Sequence, residues 1–303
     1  MIICLDIGGS GIKGALAKSP SDLTPLGRVA TPLEDFAAFV AAIRGVAERA
    51  APADVPVAIS ITGVVDPATG TITCANIPCI DGRQLAAELS ARLGRQVFVA
   101  NDADCFAIAE AIEGAGRGHR IVFGAILGTG VGGGLVIDGH IVNGAGGFAG
   151  EWGHGPVAAT SAGTPPVAIP RFNCGCGQIG CVDTVGGARG LERLYKHLHG
   201  VDLASTAIVE AWRAGDAAAR RTIEVQVDLL AGPLALVVNV VGAGIVPVGG
   251  GLGKVREIIA LLDTEVRKRI LRRLNQPLVV PSQLTVEPGL VGAAILGFTE
   301  HAA

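Results

Sequence analysis

Twice in this chain an apolar strand ends in a glycine-rich turn that leads directly into a second strand. The first copy is IICLDIGGSGIKGALA from residue 2, and the second is IVFGAILGTGVGGGLVID from residue 121. Because a strand and not a helix follows each turn, neither is a Rossmann dinucleotide fingerprint, and neither contains the G-K-[ST] ending of a P-loop. A repeated unit of this kind predicts two related α/β lobes with a ligand cleft between them.

Length and periodicity support that two-lobed α/β fold. A chain of 303 residues is long enough for two cores, since a domain usually takes about 150 residues. We expect a small α/β lobe over 1–117, joined by a C-terminal helix over 289–303, and a large α/β lobe over 118–288. Apolar residues at helical spacing predict helices over 33–50, 84–93, 103–113 and 255–274, with three more between 187 and 239.

The charge balance argues against a nucleic-acid partner. The chain has 24 Lys and Arg against 27 Asp and Glu, a net charge of −3, and only 4% aromatic residues. It therefore lacks both the basic excess that binds phosphate backbones and the aromatic platform that stacks bases. The N-terminus MIICLDIGGSG has no basic segment followed by an apolar one, so we expect no secretion signal and a cytoplasmic protein.

One stretch is long enough to cross a membrane. Residues 229–253 carry no charge and exceed the roughly 20 residues that a bilayer requires. Two prolines, an asparagine and a dense run of glycines interrupt the stretch, however, and its second half has no helical continuity. We therefore predict a buried helix to about Val241, then a turn, a short strand and a glycine loop, without membrane contact.

The cysteines include one dense cluster. Cys174, Cys176 and Cys181 follow the pattern C-x-C-x4-C, with glycines at the turns between them. With His154 upstream they make a Cys3His set that suits Zn²⁺ in a closed tetrahedral site, where the metal would be structural and would pin an irregular loop. Three buried thiols in a turn are the alternative. The other cysteines lie on or beside apolar strands and helices and are expected to be small core residues: Cys4, Cys74, Cys79 and Cys105.

Three glycine turns are candidate ligand-binding segments. The turns at 8–10 and 128–134 present backbone N–H groups and the hydroxyls of Ser10 and Thr129, an arrangement that either cradles phosphates or forms a plain hairpin. The turn at 249–251 follows a third strand and leads into a helix. Backbone can approach a base and ribose closely there, and a simple strand-to-helix turn is the alternative.

Asp102 is the most informative single carboxylate. It follows the strand VFVAN, at the carboxyl end where α/β folds meet their ligands. It is either a catalytic carboxylate or a helix N-cap, a role for which Asn101 and Asp104 are equally suited.

These motifs together resemble the ROK sugar kinases, a group of the actin/hexokinase-like ATPase superfamily. The DIGGS turn, the Asn101–Asp102 pair, LGTGVGGG, GEWGH, CGCGQIGC and VGGG occur in the family's order across essentially the whole chain. Within the family the chain is most similar to bacterial kinases that act on N-acetyl-D-glucosamine. The 19 residues between His154 and Cys174 and the run from residue 70 to 111 carry that likeness.

The resemblance implies an ATP-dependent kinase that makes the sugar 6-phosphate, with structural zinc, Mg²⁺ bound with ATP, and a homodimer. Asp102 would be the general base. The sugar hydroxyls would be held, in addition to Asp102, by Asn76, Asn101, Glu151, His154 and Asp183, with His154 using its other ring nitrogen on zinc. The phosphates and Mg²⁺ would be held by Asp6, Gly8, Gly9, Ser10, Gly128, Thr129, Gly130, Gly132, Gly133 and Gly134, and the adenosine by Gly249, Gly250 and Gly251.

Three positions depart from the family pattern. The first turn reads GGSGIK where GGTKI is usual, so Lys13 stands two places late; this form is similar to polyphosphate glucokinases and leaves polyphosphate open as donor. Asp183 replaces the usual Glu and is one methylene shorter, and Thr62 stands where proline is common.

Other functions remain open beside the leading one. The same chemistry on N-acetylmannosamine, glucose or fructose is the nearest alternative. A ROK repressor would carry an extra N-terminal helix-turn-helix domain, which we do not expect because the first strand begins at Ile2. A sugar-binding protein without activity is a third reading, against which Asp102 and the two phosphate turns argue.

Overall fold

The computed structural model describes residues 1–49, 54–284 and 287–302, and the chain divides into two compact units. The first comprises Met1–Arg117, Gly134–Ala149 and Leu284–Ala303, and the second Gly118–Gly133 and Gly150–Gln283. The sequence predicts lobes over 1–117 with 289–303 and over 118–288. The units therefore differ from the predicted lobes by including 134–149 and 284–288 in the first.

Short strands and helices alternate along the whole chain, which confirms the α/β class. Up to residue 117 they are β1 Ile2–Gly8, β2 Gly11–Ser19, β3 Asp22–Val29, α1 Phe36–Ala47, β4 Val57–Ile61, β5 Val64–Val65, β6 Ile72–Thr73, α2 Leu85–Leu93, β7 Val97–Asn101 and α3 Asp102–Ile112. From there on they are β8 Ile121–Leu127, β9 Val131–Ile137, β10 His140–Ile141, β11 Ser161–Ala162, β12 Val167–Ala168, α4 Asp183–Gly186, α5 Ala188–His199, α6 Ser205–Arg213, α7 Ala217–Val241, β13 Val246–Gly249, α8 Gly250–Gly253, α9 Arg256–Arg267, β14 Val279–Pro281 and α10 Pro288–Ala302.

In the first unit a five-stranded sheet has the order β3-β2-β1-β4-β7, with β1, β4 and β7 parallel. Alternate side chains of β1 enter two different cores because successive residues of a strand point to opposite faces. Ile3, Leu5 and Ile7 pack with residues of α1 and α2, whereas Ile2 and Cys4 pack with residues of α10. Both faces are covered, as parallel strands usually require.

Strand β3 was not predicted from the sequence. Its segment DLTPLGRV contains a proline and a glycine, and most of its residues are exposed or half-buried. It pairs with β2 at the edge of the sheet, with register shifts between Gly14 and Ala15 and between Ala17 and Ser19. Pairing with a neighbour, and not hydrophobic periodicity, therefore makes this segment a strand.

Small residues let helix α10 pack closely against α3. A Cβ atom added at Gly292 would stand 2.1 Å from the carbonyl oxygen of Cys105. At the start of the same helix, a Cβ atom on Gly289 would stand 2.5 Å from Oδ1 of Asp6. The helix therefore reaches the end of β1 only because both positions lack a side chain.

In the second unit β13 lies between β8 and β14 and runs parallel to both. The short helix α8 and then helix α9 follow this strand. Helix α9 ends at Arg267, although apolar spacing predicts a helix to residue 274. The reason is a long-range contact. The buried carboxylate of Asp263 accepts hydrogen bonds from the amides of Leu278 at 2.8 Å and Val279 at 2.9 Å, which requires the chain to turn back and form β14.

The apolar stretch after residue 229 continues a helix that begins at Ala217. Helix α7 is long and apolar enough to cross a bilayer by length and composition, and 56% of its most apolar 18-residue stretch is buried inside the protein. It packs against α5, α6 and α9. The predicted end near Val241 is confirmed, because Gly242 adopts a left-handed conformation with φ of 69° and terminates the helix.

Candidate functional site

Polar residues of the first unit gather where three parallel strands end. Ile7 of β1 lies beside Ile61 of β4, and Ile61 lies beside Asn101 of β7. The carboxyl ends of the three strands therefore share one edge of the sheet. The first glycine turn, the Thr62–Gly63 pair and Asp102 follow directly at that edge.

The structure separates the two roles that the sequence left open for Asp102. Asn101 is the N-cap of α3, and its side-chain oxygen accepts hydrogen bonds from the amides of Ala103 at 2.8 Å and Asp104 at 3.4 Å. Asp102 is the first helical residue, and it is exposed. With the cap supplied by its neighbour, the Asp102 carboxylate lies in a position suited to proton transfer with a bound molecule.

The two asparagines predicted to hold sugar are oriented by neighbours at the same edge. The side-chain amide of Asn101 donates to the carbonyl of Gly63 at 2.8 Å. The amide of the exposed Asn76 donates to the hydroxyl of Thr62 at 3.2 Å. Thr62 occupies the position where the family commonly has proline, so its role as a partner of Asn76 is visible only in the structure.

The first glycine turn is exposed and is flanked by a cation that sequence reasoning missed. Arg28 of β3 donates through Nη2 to the hydroxyl of Ser10 at 3.2 Å. A Cβ atom at Gly11 would stand 2.4 Å from Nε of Arg28, so the guanidinium lies directly over that glycine. Lys13, in contrast, is paired with Glu287 at 2.9 Å. The cation beside the turn is therefore Arg28.

Asp6 lies near the end of β1, beneath this turn. The hydroxyl of Ser60 donates to its Oδ1 at 3.1 Å, and burial raises the pKa of the carboxyl above its usual range. Nearby, the hydroxyl of Thr31 donates to the carbonyl of Gly8 at 2.6 Å and holds the backbone of the turn. Carboxylate oxygens are preferred ligands of Mg²⁺, so this donor set suits the predicted role of Asp6.

In the second unit the segment after the cysteines clamps the second glycine turn. The amides of Ala188 and Arg189 donate to the carbonyls of Gly128 at 2.8 Å and Thr129 at 3.2 Å. A Cβ atom at Gly187 would stand 2.6 Å from Cα of Gly130, so the two backbones are in direct contact. The turn between β8 and β9 is therefore fixed by contacts distant in sequence.

A cavity of about 500 Å³ opens beside this turn. Its lining includes residues of the predicted turns and of helix α6, which the sequence did not assign to a site: Gly128, Thr129, Ala188, Ser205, Thr206, Val209, Glu210, Arg213, Gly251, Leu252 and Val255. Gly250 has φ of 86°, and a Cβ atom there would stand 2.5 Å from the backbone of Leu127. The 249–251 turn can thus lie against the 128 turn only with glycine at that position.

The four predicted metal ligands lie together. One ligand atom from each of His154, Cys174, Cys176 and Cys181 lies within 4.8 Å of the other three. The sulfurs of Cys176 and Cys181 are 3.7 Å apart, and Nδ1 of His154 is 3.7 Å from the sulfur of Cys174. Tetrahedral zinc with Zn–S bonds of about 2.3 Å separates its sulfurs by about 3.8 Å. The donor set and its spacing fit zinc.

The protonation of the thiols is set by the local backbone and by burial. A hydrogen bond from the amide of Gln178 lowers the pKa of Cys176 to about 7, whereas burial raises the pKa of Cys174 to about 12. All seven cysteines are free of disulfides, and Cys4, Cys74 and Cys105 are buried as predicted while Cys79 is half-buried.

Glu151 lies beside His154, on the side of the imidazole away from the sulfurs. Its Oε2 is 3.8 Å from Nε2 of His154, while Nδ1 of His154 points toward Cys174. Burial raises the pKa of Glu151. The two ring nitrogens of His154 thus face different partners, as the predicted double use of this residue requires.

Asp183 points toward the second glycine turn. Its Oδ1 accepts a hydrogen bond from the amide of Val131 at 2.7 Å, and its Oδ2 is 3.9 Å from the sulfur of Cys174. Close by, the indole of Trp152 donates to the carbonyl of Gly132 at 2.8 Å. Of the remaining glycines of this turn, Gly132 and Gly133 belong to the second unit and Gly134 belongs to the first. A Cβ atom added at Gly134 would stand 2.8 Å from the carbonyl oxygen of Ala103.

Comparison with known proteins identifies relatives over the full length of the chain. The sequence pattern described as the ROK family matches residues 2–300. An N-acetylgalactosamine kinase of Shewanella sp. (strain ANA-3) is 38% identical over 299 residues, covering 97% of this chain and 95% of the relative. An N-acetyl-D-glucosamine kinase of Citrobacter koseri (strain ATCC BAA-895 / CDC 4225-83 / SGSC4696) is 36% identical over 298 residues, covering 97% of this chain and 98% of the relative.

A solved structure shares the same fold. A ROK-family glucokinase from Streptomyces griseus, in complex with glucose and AMPPNP, matches with a TM-score of 0.76 and 29% identity. The match covers 98% of this chain and 99% of that chain.

Proposed function

Because the chain belongs to the ROK family and has its actin/hexokinase-like ATPase fold, we propose that it is an ATP-dependent kinase that phosphorylates N-acetyl-D-glucosamine on the 6-hydroxyl. The observation that carries the proposal is the exposed Asp102 carboxylate at the start of α3, where Asn101 supplies the helix cap. A carboxylate in this position can take the proton of a bound hydroxyl, which is the step that a kinase needs from a general base.

In this reaction Asp102 accepts the proton of the sugar 6-hydroxyl while the oxygen of that hydroxyl attacks the γ-phosphorus of ATP. The bond between that phosphorus and the β,γ-bridging oxygen breaks, ADP leaves, and the proton passes from Asp102 to solvent. Phosphoryl transfer depends on position and charge neutralisation more than on covalent chemistry. Bound Mg²⁺ would neutralise phosphate charge, and in the first unit Asp6 is the carboxylate suited to it.

The other predicted site residues are assigned to the sugar, the phosphates and the adenosine. Asn76 and Asn101 in the first unit and Glu151 and His154 in the second hold sugar hydroxyls. The turns at 8–10 and 128–134 bind phosphates, and the 500 Å³ cavity with the 249–251 turn takes the adenosine. The spacing of the Cys3His cluster supports zinc with a structural role. A cytoplasmic homodimer completes the proposal, in line with the family resemblance.

A substrate panel tests the proposed function. ADP release with Mg-ATP is measured against N-acetylglucosamine, N-acetylgalactosamine, N-acetylmannosamine, glucose and fructose. We expect kcat/KM for N-acetylglucosamine to exceed that for glucose at least tenfold, because a site that binds the acetamido group loses its hydrogen bonds with glucose. N-acetylgalactosamine is the second candidate, since the Shewanella relative carries that name. A preference for N-acetylgalactosamine would change the assigned sugar and keep the proposed chemistry. If none of the five sugars were phosphorylated, the kinase function would be refuted.

Arg28 provides a second test, on the phosphate donor. Arg28→Ala is expected to raise KM for Mg-ATP about tenfold, because a guanidinium beside an exposed turn can form charge-assisted hydrogen bonds to phosphate. Arg49→Ala is the matched control, since Arg49 is an exposed arginine of the same unit that donates to the carbonyl of Leu26 at 3.1 Å. Polyphosphate is assayed in parallel as donor. An unchanged KM for both donors in Arg28→Ala would contradict the assignment.

A further inference from the structure

The family resemblance implies that Asp183 holds a sugar hydroxyl, and one oxygen of its carboxylate also contacts the second glycine turn. Oδ1 accepts the hydrogen bond from the amide of Val131 at 2.7 Å, across 52 residues of sequence. A Cβ atom at Gly130 would stand 2.1 Å from the same oxygen, so the carboxylate lies directly against the turn. Val131 is the first residue of β9, at the point where the turn ends.

Asp183 is itself held rigidly. Its amide donates to the carbonyl of Gly153 at 2.8 Å, and it begins helix α4 two residues after the metal ligand Cys181. The following carbonyls of Val185, Gly186 and Gly187 accept hydrogen bonds from the fully buried Gln226 at 2.9, 3.3 and 3.1 Å. The carboxylate is therefore presented to the turn from a backbone that is fixed on both sides.

We propose that Asp183 is a positioning residue of the nucleotide-binding turn at 128–131, acting through the amide of Val131. A carboxylate that accepts from a backbone amide forms a charge-assisted bond, which is stronger than a neutral one. The bond orients the end of the turn, while Ala188 and Arg189 hold the carbonyls of Gly128 and Thr129. The turn then presents its remaining backbone groups to the cavity in one arrangement before nucleotide arrives, which lowers the entropic cost of binding.

Two variants test this role. Asp183→Ala removes the acceptor, whereas Asp183→Asn keeps an oxygen of the same reach for Val131 and loses only the charge. We expect Asp183→Ala to weaken Mg-ADP binding about tenfold by calorimetry and Asp183→Asn to weaken it less than threefold. This affinity measurement rests on the proposed kinase function.

A second measurement does not depend on any ligand. Hydrogen exchange at the Val131 amide, followed by NMR, is expected to accelerate about tenfold in Asp183→Ala and to change little in Asp183→Asn. Asp216→Ala is the matched control, because Asp216 also accepts from a backbone amide, that of Ala219, at 2.7 Å. It should accelerate exchange at Ala219 and leave both Val131 and Mg-ADP binding unchanged.

The outcomes are distinct. Faster exchange at Val131 together with weaker Mg-ADP binding supports the positioning role. Unchanged Val131 exchange and unchanged Mg-ADP affinity in Asp183→Ala would overturn it, whatever the variant does to sugar binding. Faster exchange with unchanged Mg-ADP affinity would also overturn it, since the turn would not need this bond. If the unaltered protein bound neither Mg-ADP nor sugar, the kinase function would fail, while the exchange data would still show whether Asp183 orders the turn.

Discussion

Asp102→Asn is expected to lower kcat about 1000-fold while N-acetylglucosamine binding changes less than threefold. The amide has the size and shape of the carboxylate but cannot accept the proton of the sugar hydroxyl, and a general base contributes about 10²- to 10⁴-fold. The helix should survive the change, because the cap of α3 comes from Asn101 and not from Asp102. Steady-state kinetics and calorimetry of the same preparation give the two numbers.

A matched variant controls for the loss of one negative charge at a helix start. Asp35 is the N-cap of α1 in the same unit, and its carboxylate accepts from the amide of Ala37 at 2.8 Å. Asparagine also caps helices, so Asp35→Asn should retain nearly full activity. If Asp102→Asn kept more than a tenth of the original kcat, Asp102 would not be the base.

Loss of the metal site is expected to have the largest effect on stability. The purified protein should contain about one zinc per chain, and Cys181→Ser should contain less than a tenth of that. Structural zinc binds with an apparent free energy of about 10–16 kcal/mol in zinc-finger peptides, which is as large as the whole stability of a typical domain. We therefore expect Cys181→Ser to lose the cooperative thermal transition of the second unit, measured by calorimetry together with elemental analysis.

Cys79→Ser is the control for replacing a cysteine. Cys79 is a half-buried residue of the first unit, and it donates only a weak hydrogen bond to the carbonyl of Pro32 at 3.5 Å. This variant should keep its zinc and a Tm within a few degrees of the original. A stable protein that contained no zinc when purified without chelator would rule out the structural metal.

Several features of the fold and site could be predicted because they depend on residues close together in sequence. The nearly continuous apolar run IICLDI predicts a strand covered on both faces, and the spacing of Cys174, Cys176 and Cys181 predicts a metal loop. Helix α7 ends where glycine follows Val241, a signal that is also local. The order of the motifs was enough to indicate the family, since it spans the whole chain.

Other features depended on contacts that no local pattern encodes. Strand β3 forms because β2 offers an edge, and α9 stops early because Asp263 captures amides of β14. Arg28 reaches Gly11 from a neighbouring strand, and helix α6 lines the cavity beside the second glycine turn although its segment carries no ligand-binding motif. Each of these results from side chains that meet across many residues of sequence.

The sequence by itself therefore determined the α/β class and indicated the candidate metal ligands and the candidate base. Local spacing is enough for these features, because it sets the period of a strand, the distance between ligands in a loop and the residue that follows the end of a strand. The tertiary structure alone decided that Asn101 caps α3 and leaves the exposed position to Asp102. It also brought Oδ1 of Asp183 to the amide of Val131, a contact across 52 residues that no local pattern encodes.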